Sequence, residues 1–177
     1  MASDYNSDDT FNVIEDHLIQ ALQADAKLGT GGALEVATWE QEHRNAISGY
    51  NENELPAISV EVGIAPAELL AIGDRMAWHY PTGIYIVITG GTLAYQKQTV
   101  KYFAARVVRV LQQQHYPDKQ LVSLPDDLDG ADTGDVMVNV EGVEILAGAP
   151  DEERPNVLRG YAVISADISV TYVIPED

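Results

Sequence analysis

Fourteen consecutive residues, Tyr161–Ile174, alternate without interruption. Ala162, Ile164, Ala166, Ile168, Val170, Tyr172 and Ile174 take one side. Tyr161, Val163, Ser165, Asp167, Ser169, Thr171 and Val173 take the other. A period of two belongs to a pleated strand, and a helix would scatter either set around its circumference. At ~3.3 Å per residue the strand is about 46 Å long, well beyond the usual length. A strand that long is expected to project past its own sheet or to bend across it. The rest of the chain must supply neighbouring strands for it and a cover for its apolar side.

Two helical patterns can provide the cover. In residues 11–26, Phe11, Ile14, Leu18 and Leu22 recur at helical spacing, with Asp8, Asp9 or Thr10 as caps and Gly29 as the stop. The polar, acidic stretch 1–10 before it reads as a flexible arm, leaving residues 11–177 as a single domain of ordinary size. The second helix, Thr92–His115, follows Gly90-Gly91. Strands are expected at Leu34–Thr38, Ala57–Val62, Arg75–Tyr80 and Ile84–Thr89, the last two separated by a turn at Pro81-Thr82-Gly83. Val136–Val140 and Val143–Leu146 suggest a hairpin around Glu141-Gly142. Residues 39–54 and the acidic stretches Asp126–Asp135 and Asp151–Glu153 read as loops, and Ile64–Ile72 as either a short helix or a loop. The element order predicts an α+β fold, a mixed or antiparallel sheet packed against an N-terminal helix and one long central helix.

Charge narrows the function classes. Ten Lys and Arg stand against 28 Asp and Glu, a net charge of −18. Such a chain has the wrong sign to hold nucleic acid or an anionic membrane. Between Asp74 and Asp118 no acidic residue occurs, yet Arg75, Lys97, Lys101, Arg106 and Arg109 lie there. On the second helix Val100, Phe103, Ala104, Val107, Val110 and Leu111 fall within an arc of roughly 220–340° from Lys97. Lys97, Lys101, Arg106 and Arg109, with Tyr102 among them, occupy the opposite half. The ordinary reading of a charged helix face is solvation. Exposed helices usually mix signs at i±4 for mutual support, and this one has no acidic residue to do so. Lys97, Lys101, Arg106 and Arg109 are therefore the candidate subunit or partner interface.

Signals for catalysis, cofactors and metals are missing. There is no cysteine, which removes disulfides, thiolate zinc sites and cysteine nucleophiles together. His17, His43, His79 and His115 lie in separate elements without ligand spacing. Glu40, Glu42 and His43 imitate a ligand set but sit beside Arg44 in an unpatterned segment. Asp126-Asp127-Leu128-Asp129-Gly130 resembles a calcium loop, yet the EF-hand register puts Pro125 first and Val136 twelfth, neither of which is a carboxylate. Gly90-Gly91-Thr92 lacks the lysine of a phosphate loop and reads as a turn with Thr92 as N-cap. No catalytic residue, cofactor or metal site is expected. No apolar run approaches membrane-spanning length, so no transmembrane helix is expected.

The succession of segments resembles the tail terminator, or tail completion, proteins of tailed bacteriophages, in particular the type of Mu-like contractile phages. Val13-Ile14-Glu15-Asp16-His17-Leu18-Ile19-Gln20-Ala21-Leu22 matches their opening helix pattern IEDxLIxxL. Leu55-Pro56-Ala57-Ile58-Ser59-Val60-Glu61-Val62-Gly63 matches their LPAIxVxxG strand. A long helix then follows a strongly apolar strand, and an alternating strand with an aromatic at its end, here Ser165–Tyr172, closes the series. The acidic arm and the Asp126–Asp135 stretch depart from that pattern.

The resemblance implies a non-enzymatic virion protein of the tail and neck, assembled in the host cytoplasm. It would form a homo-oligomeric ring, usually a hexamer, that caps the tail tube. Implied partners are the tail tube protein, the sheath protein and the head–tail connector protein, with DNA passing through unbound. A cationic face on an acidic subunit suits the head-to-tail contact that closes rings, and an acidic channel lets DNA slide without sticking. The alternatives are another neck or baseplate adaptor, or a small binding module that grips an acidic partner with helix 93–115. An enzyme of another type is the third reading, one that a deep pocket with convergent polar groups would favour.

Overall fold

A computed structural model of the chain describes residues 7–45, 49–63, 68–69, 75–113, 136–150 and 158–173. Their elements are α1 (Ser7–Gln23), β1 (Thr38–Glu40), a 3-10 turn (Glu52–Glu54), β2 (Ala57–Val62), β3 (Glu68–Leu69), β4 (Arg75–Thr89), α2 (Leu93–Gln113), β5 (Val136–Pro150) and β6 (Leu158–Val173). The strands form one sheet in the order β1-β2-β4-β6-β5, with β3 on the same edge of β4 as β2. β1 runs parallel to β2, and every other pairing is antiparallel. The architecture is the α+β fold expected, a mixed sheet with an N-terminal helix and a longer central one.

The long strand is the spine of the sheet. β6 pairs with β4 from Arg159↔Thr89 to Val173↔Arg75, and with β5 from Leu158↔Pro150 to Val170↔Val136. Over its described residues it does not run past its sheet, the first of the two outcomes expected, because both neighbours are nearly as long. Their length was hidden by residues that resemble turns. β4 passes unbroken through Pro81-Thr82-Gly83, where a turn is predicted. The carbonyl of Pro81 accepts from the Gly63 amide at 2.8 Å, so the missing proline N–H faces the side where β2 has just ended. A proline at that point costs the sheet no bond to β6. The hairpin expected at Glu141-Gly142 is likewise absent. β5 continues, and Glu141 and Gly148 are each an extra residue in the register, two β-bulges in one edge strand.

The two helices cover one face. Ile14, Leu18, Ile19 and Leu22 of α1 pack with Val100, Phe103, Ala104, Val107, Val110 and Leu111 of α2. Both sets meet Ile58 and Val60, the even residues Ile84–Ile88, and Ala162, Ile164 and Ile168. Full burial of each large aliphatic or aromatic side chain contributes ~1.5–3 kcal/mol. Glu15, only 8 % exposed, accepts the Val62 amide at 2.9 Å and ties α1 to the end of β2. On the opposite face Tyr50, Leu55, Ala57 and Val87 form a smaller cluster against Tyr161.

Other boundaries differ locally. α1 begins at Ser7, so residues 7–10 of the expected arm are helical. The strand expected at Leu34–Thr38 is reduced to Thr38–Glu40, because residues 34–36 instead close a turn onto Lys27, Gly32 and Leu28. Most of Ile64–Ile72 and all of Asp126–Asp135 and Asp151–Glu153 lie outside the described residues.

Candidate functional site

α2 is fixed at its start by backbone geometry and by one polar side chain. Gly90 and Gly91 both take left-handed φ angles, 88° and 72°, and Thr92 Oγ1 accepts the Tyr95 amide at 3.3 Å as the N-cap. Gln96 is fully buried on the inner arc. Its Nε2 donates to the carbonyls of Leu158 at 2.6 Å and Gly90 at 3.2 Å, and its Oε1 accepts the Gly148 amide at 3.1 Å. One amide thus locks the helix to the start of β6 and to the second bulge of β5. The inner arc is the one the periodicity predicts, with Gln96 added.

With the inner arc committed to the core, the outer face is presented outward. Lys97, Lys101 and Arg109 are exposed, and Tyr95 and Tyr102 stand more than half exposed, at 54 % and 56 %. Arg106 is different. Its Nε donates to Asp25 Oδ1 at 2.8 Å and its terminal nitrogen to Oδ2, a two-point pair between side chains 20 % and 7 % exposed. Asp25 also accepts the amides of Lys27 and Leu28, closing the turn after α1. The Arg106 guanidinium, with help from those amides, holds the Asp25 carboxyl below the usual carboxylate range. Of the four candidate cations, three face outward together and one is a structural strut between α2 and α1.

Beside this face lie two adjoining hollows that share Ala33, Leu34 and Tyr102 as walls. The first, about 400 Å³, is completed by Lys27, Ala105, Arg106 and Arg109. The second, about 390 Å³, reaches past Tyr95 and Gln98 to Pro56 and Ile88. Together they make a groove with a largely apolar floor, cations at the end of the first hollow and Glu35 in the wall of the second. Among the described residues none of Lys27, Lys97, Lys101 and Arg109 has an ion-pair partner. The second wall, from Lys27 to Glu35, carries no periodic signal in the sequence. Asp25 is legible there only as one turn residue among several.

The other polar constellations are already committed. Glu40 pairs with Arg44 and accepts the Tyr50 hydroxyl at 3.1 Å, while Arg44 also reaches Glu54. His43 stacks on Tyr85 with ring centres 4.0 Å apart, its Nδ1 3.2 Å from Ser59 Oγ. Burial pushes the His43 imidazole below the usual histidine range. Glu40 and His43 therefore turn to different partners and do not converge. Among the described residues no group of three or more His, Asp or Glu is placed to hold a metal ion. His79 Nδ1 meets Asp167 Oδ2 at 2.7 Å on the face of the sheet opposite α1 and α2, and neither hollow borders that pair.

Neither the models of known protein families nor the curated protein sequences give a match to this chain.

Proposed function

We propose that this protein is a structural tail terminator of a contractile-type phage tail. Its copies close into a ring, six in the reading implied by the resemblance, that caps the tube and receives the connector. The observation that carries the proposal is the outward face of α2. Three cations without described partners, Lys97, Lys101 and Arg109, stand exposed on it, and Arg109 lines an open groove beside them, on a chain of net charge −18. A patch of one sign on a subunit of the other sign is complementary to the rest of its own surface. That favours a heterologous contact, the type from which rings are built when its rotation closes.

The segments behind the resemblance also belong together in space. Glu15 of the IEDxLIxxL helix accepts the amide of Val62 in the LPAIxVxxG strand. Light scattering after gel filtration, on the protein alone and with tail tube protein added, tests the reading. A ring mass under either condition is expected, and a strict monomer under both overturns it.

A further inference from the structure

We propose that the groove between α2 and the 27–35 turn receives the acidic segment 126–135 of a neighbouring copy, with Leu128 as its anchor. The inference rests on the ring reading and names the surface that meets the cationic face. The groove asks for a particular ligand. Its floor of Ala33, Leu34, Tyr102 and Ala105 is apolar and wide enough for one branched side chain, and Lys27 and Arg109 stand at its rim. Lys101 adds charge one residue before Tyr102 on the same helix. Arg106 lines the groove as well, but its Nε and Nη2 already donate to Asp25.

An occupant must therefore carry several negative charges spaced around a single apolar group. Asp126-Asp127-Leu128-Asp129 has that arrangement, and the ten residues 126–135 hold five Asp and no cation. Other acidic stretches fit less well. Asp151-Glu152-Glu153 has no aliphatic residue within it, and Glu52-Asn53-Glu54 is folded into a 3-10 turn with Glu54 held by Arg44. An apolar anchor supplies the affinity of such a contact, while surrounding charges set its orientation and salt dependence.

The test uses the full chain carrying Asp126→Asn, Asp127→Asn, Leu128→Ser and Asp129→Asn as receptor, so that its own segment cannot compete. A fluorescent peptide of residues 124–135 is titrated into it and followed by anisotropy. Saturable binding is expected, weakened about tenfold by Leu128→Ala in the peptide. It is also expected to weaken severalfold as NaCl is raised from 0.15 M to 1 M, and to be lost with Arg109→Glu plus Lys27→Glu in the receptor. Circular dichroism checks that each variant keeps its fold. Absence of saturable binding, or binding indifferent to Leu128, overturns the proposal.

The site of docking is read from assembly. In the presence of tube protein, the receptor variant is expected to stay monomeric while the wild-type chain forms rings. Rings from the receptor variant would sink the segment as the ring contact and leave the tail terminator reading intact. A wild-type chain that stays monomeric under every condition defeats that reading instead, whatever the peptide does. A monomeric wild type that binds no peptide while the receptor variant does shows the segment seated on its own chain, which also overturns docking between copies.

Discussion

Two polar side chains with little exposure, Asp25 and Glu15, do much to distinguish this fold from a generic sheet with two helices, and each makes a separate prediction. Asp25 receives the Arg106 fork and two backbone amides, so replacing it with Ala leaves a part-exposed guanidinium and two amide donors without their acceptor. A loss of about 1–2 kcal/mol at pH 7, mainly from the acceptor lost by the two turn amides, is expected in urea denaturation. Because the folded-state pKa of Asp25 is depressed, its contribution is present above the unfolded value and is lost as pH falls through the folded one. The gap between wild type and Asp25→Ala should therefore narrow below about pH 4. Glu15 has the opposite sign. Burial, with the nearby carboxylates of Glu61 and Asp16, pushes its carboxyl up despite the Val62 amide. The folded state then holds the proton more tightly than the unfolded chain, and stability falls as pH rises through that window. Glu15→Gln keeps an acceptor for Val62 and removes the charge, so its melting temperature at pH 7 should equal or exceed that of wild type. Glu15→Ala should lower it.

At the level of elements, the sequence reveals what repeats and hides what interrupts. The inner arc of α2 was legible residue by residue, because one period ran over twenty-one helical residues with nothing to break it. Gln96 escaped because periodicity counts apolar side chains, and a buried amide satisfied by three bonds looks like surface. Pro81-Thr82-Gly83 and Glu141-Gly142 have turn composition but lie inside fifteen-residue strands. Local preference cannot see that β6 holds both strands along nearly their whole length. The cationic face was legible, whereas the groove beside it was not, since its second wall comes from a turn some seventy residues earlier in the chain. The Arg106–Asp25 pair spans 81 residues, and for that reason four apparently equivalent cations are three plus a strut. The bulge at Gly148 is the element-scale test. Its φ is 81°, and a Cβ there would approach Leu93 Cδ1 to 2.6 Å. Gly148→Ala should cost about 1–2 kcal/mol from the left-handed backbone alone. Hydrogen exchange should rise at the first turn of α2 as Leu93 and Gln96 shift.

For the whole molecule, net charge and local patch act over different distances, and that difference makes assembly depend on salt in two directions. Copies of a −18 chain repel one another through their full fields, which at 0.01 M ionic strength reach across a Debye length of about 30 Å. The contact between Lys97, Lys101 and Arg109 and an acidic surface works at a few ångströms, inside the ~8 Å screening length of 0.15 M salt. Moderate salt therefore removes the repulsion between distant charges and spares the attraction between touching ones. Near 1 M the length shrinks to about 3 Å and the contact itself weakens. Ring mass measured by light scattering from 10 mM to 1 M NaCl should accordingly rise, pass through a maximum and fall. Lys97→Glu, Lys101→Glu and Arg109→Glu together should abolish the maximum without lowering the melting temperature by more than a few degrees, because all three side chains are exposed. Arg106 must be left in place, since reversing it would break the strut to Asp25 and confuse unfolding with disassembly. A contact made of apolar surface alone would instead strengthen steadily with salt, and a monotonic rise would assign the ring to a face other than the outer side of α2.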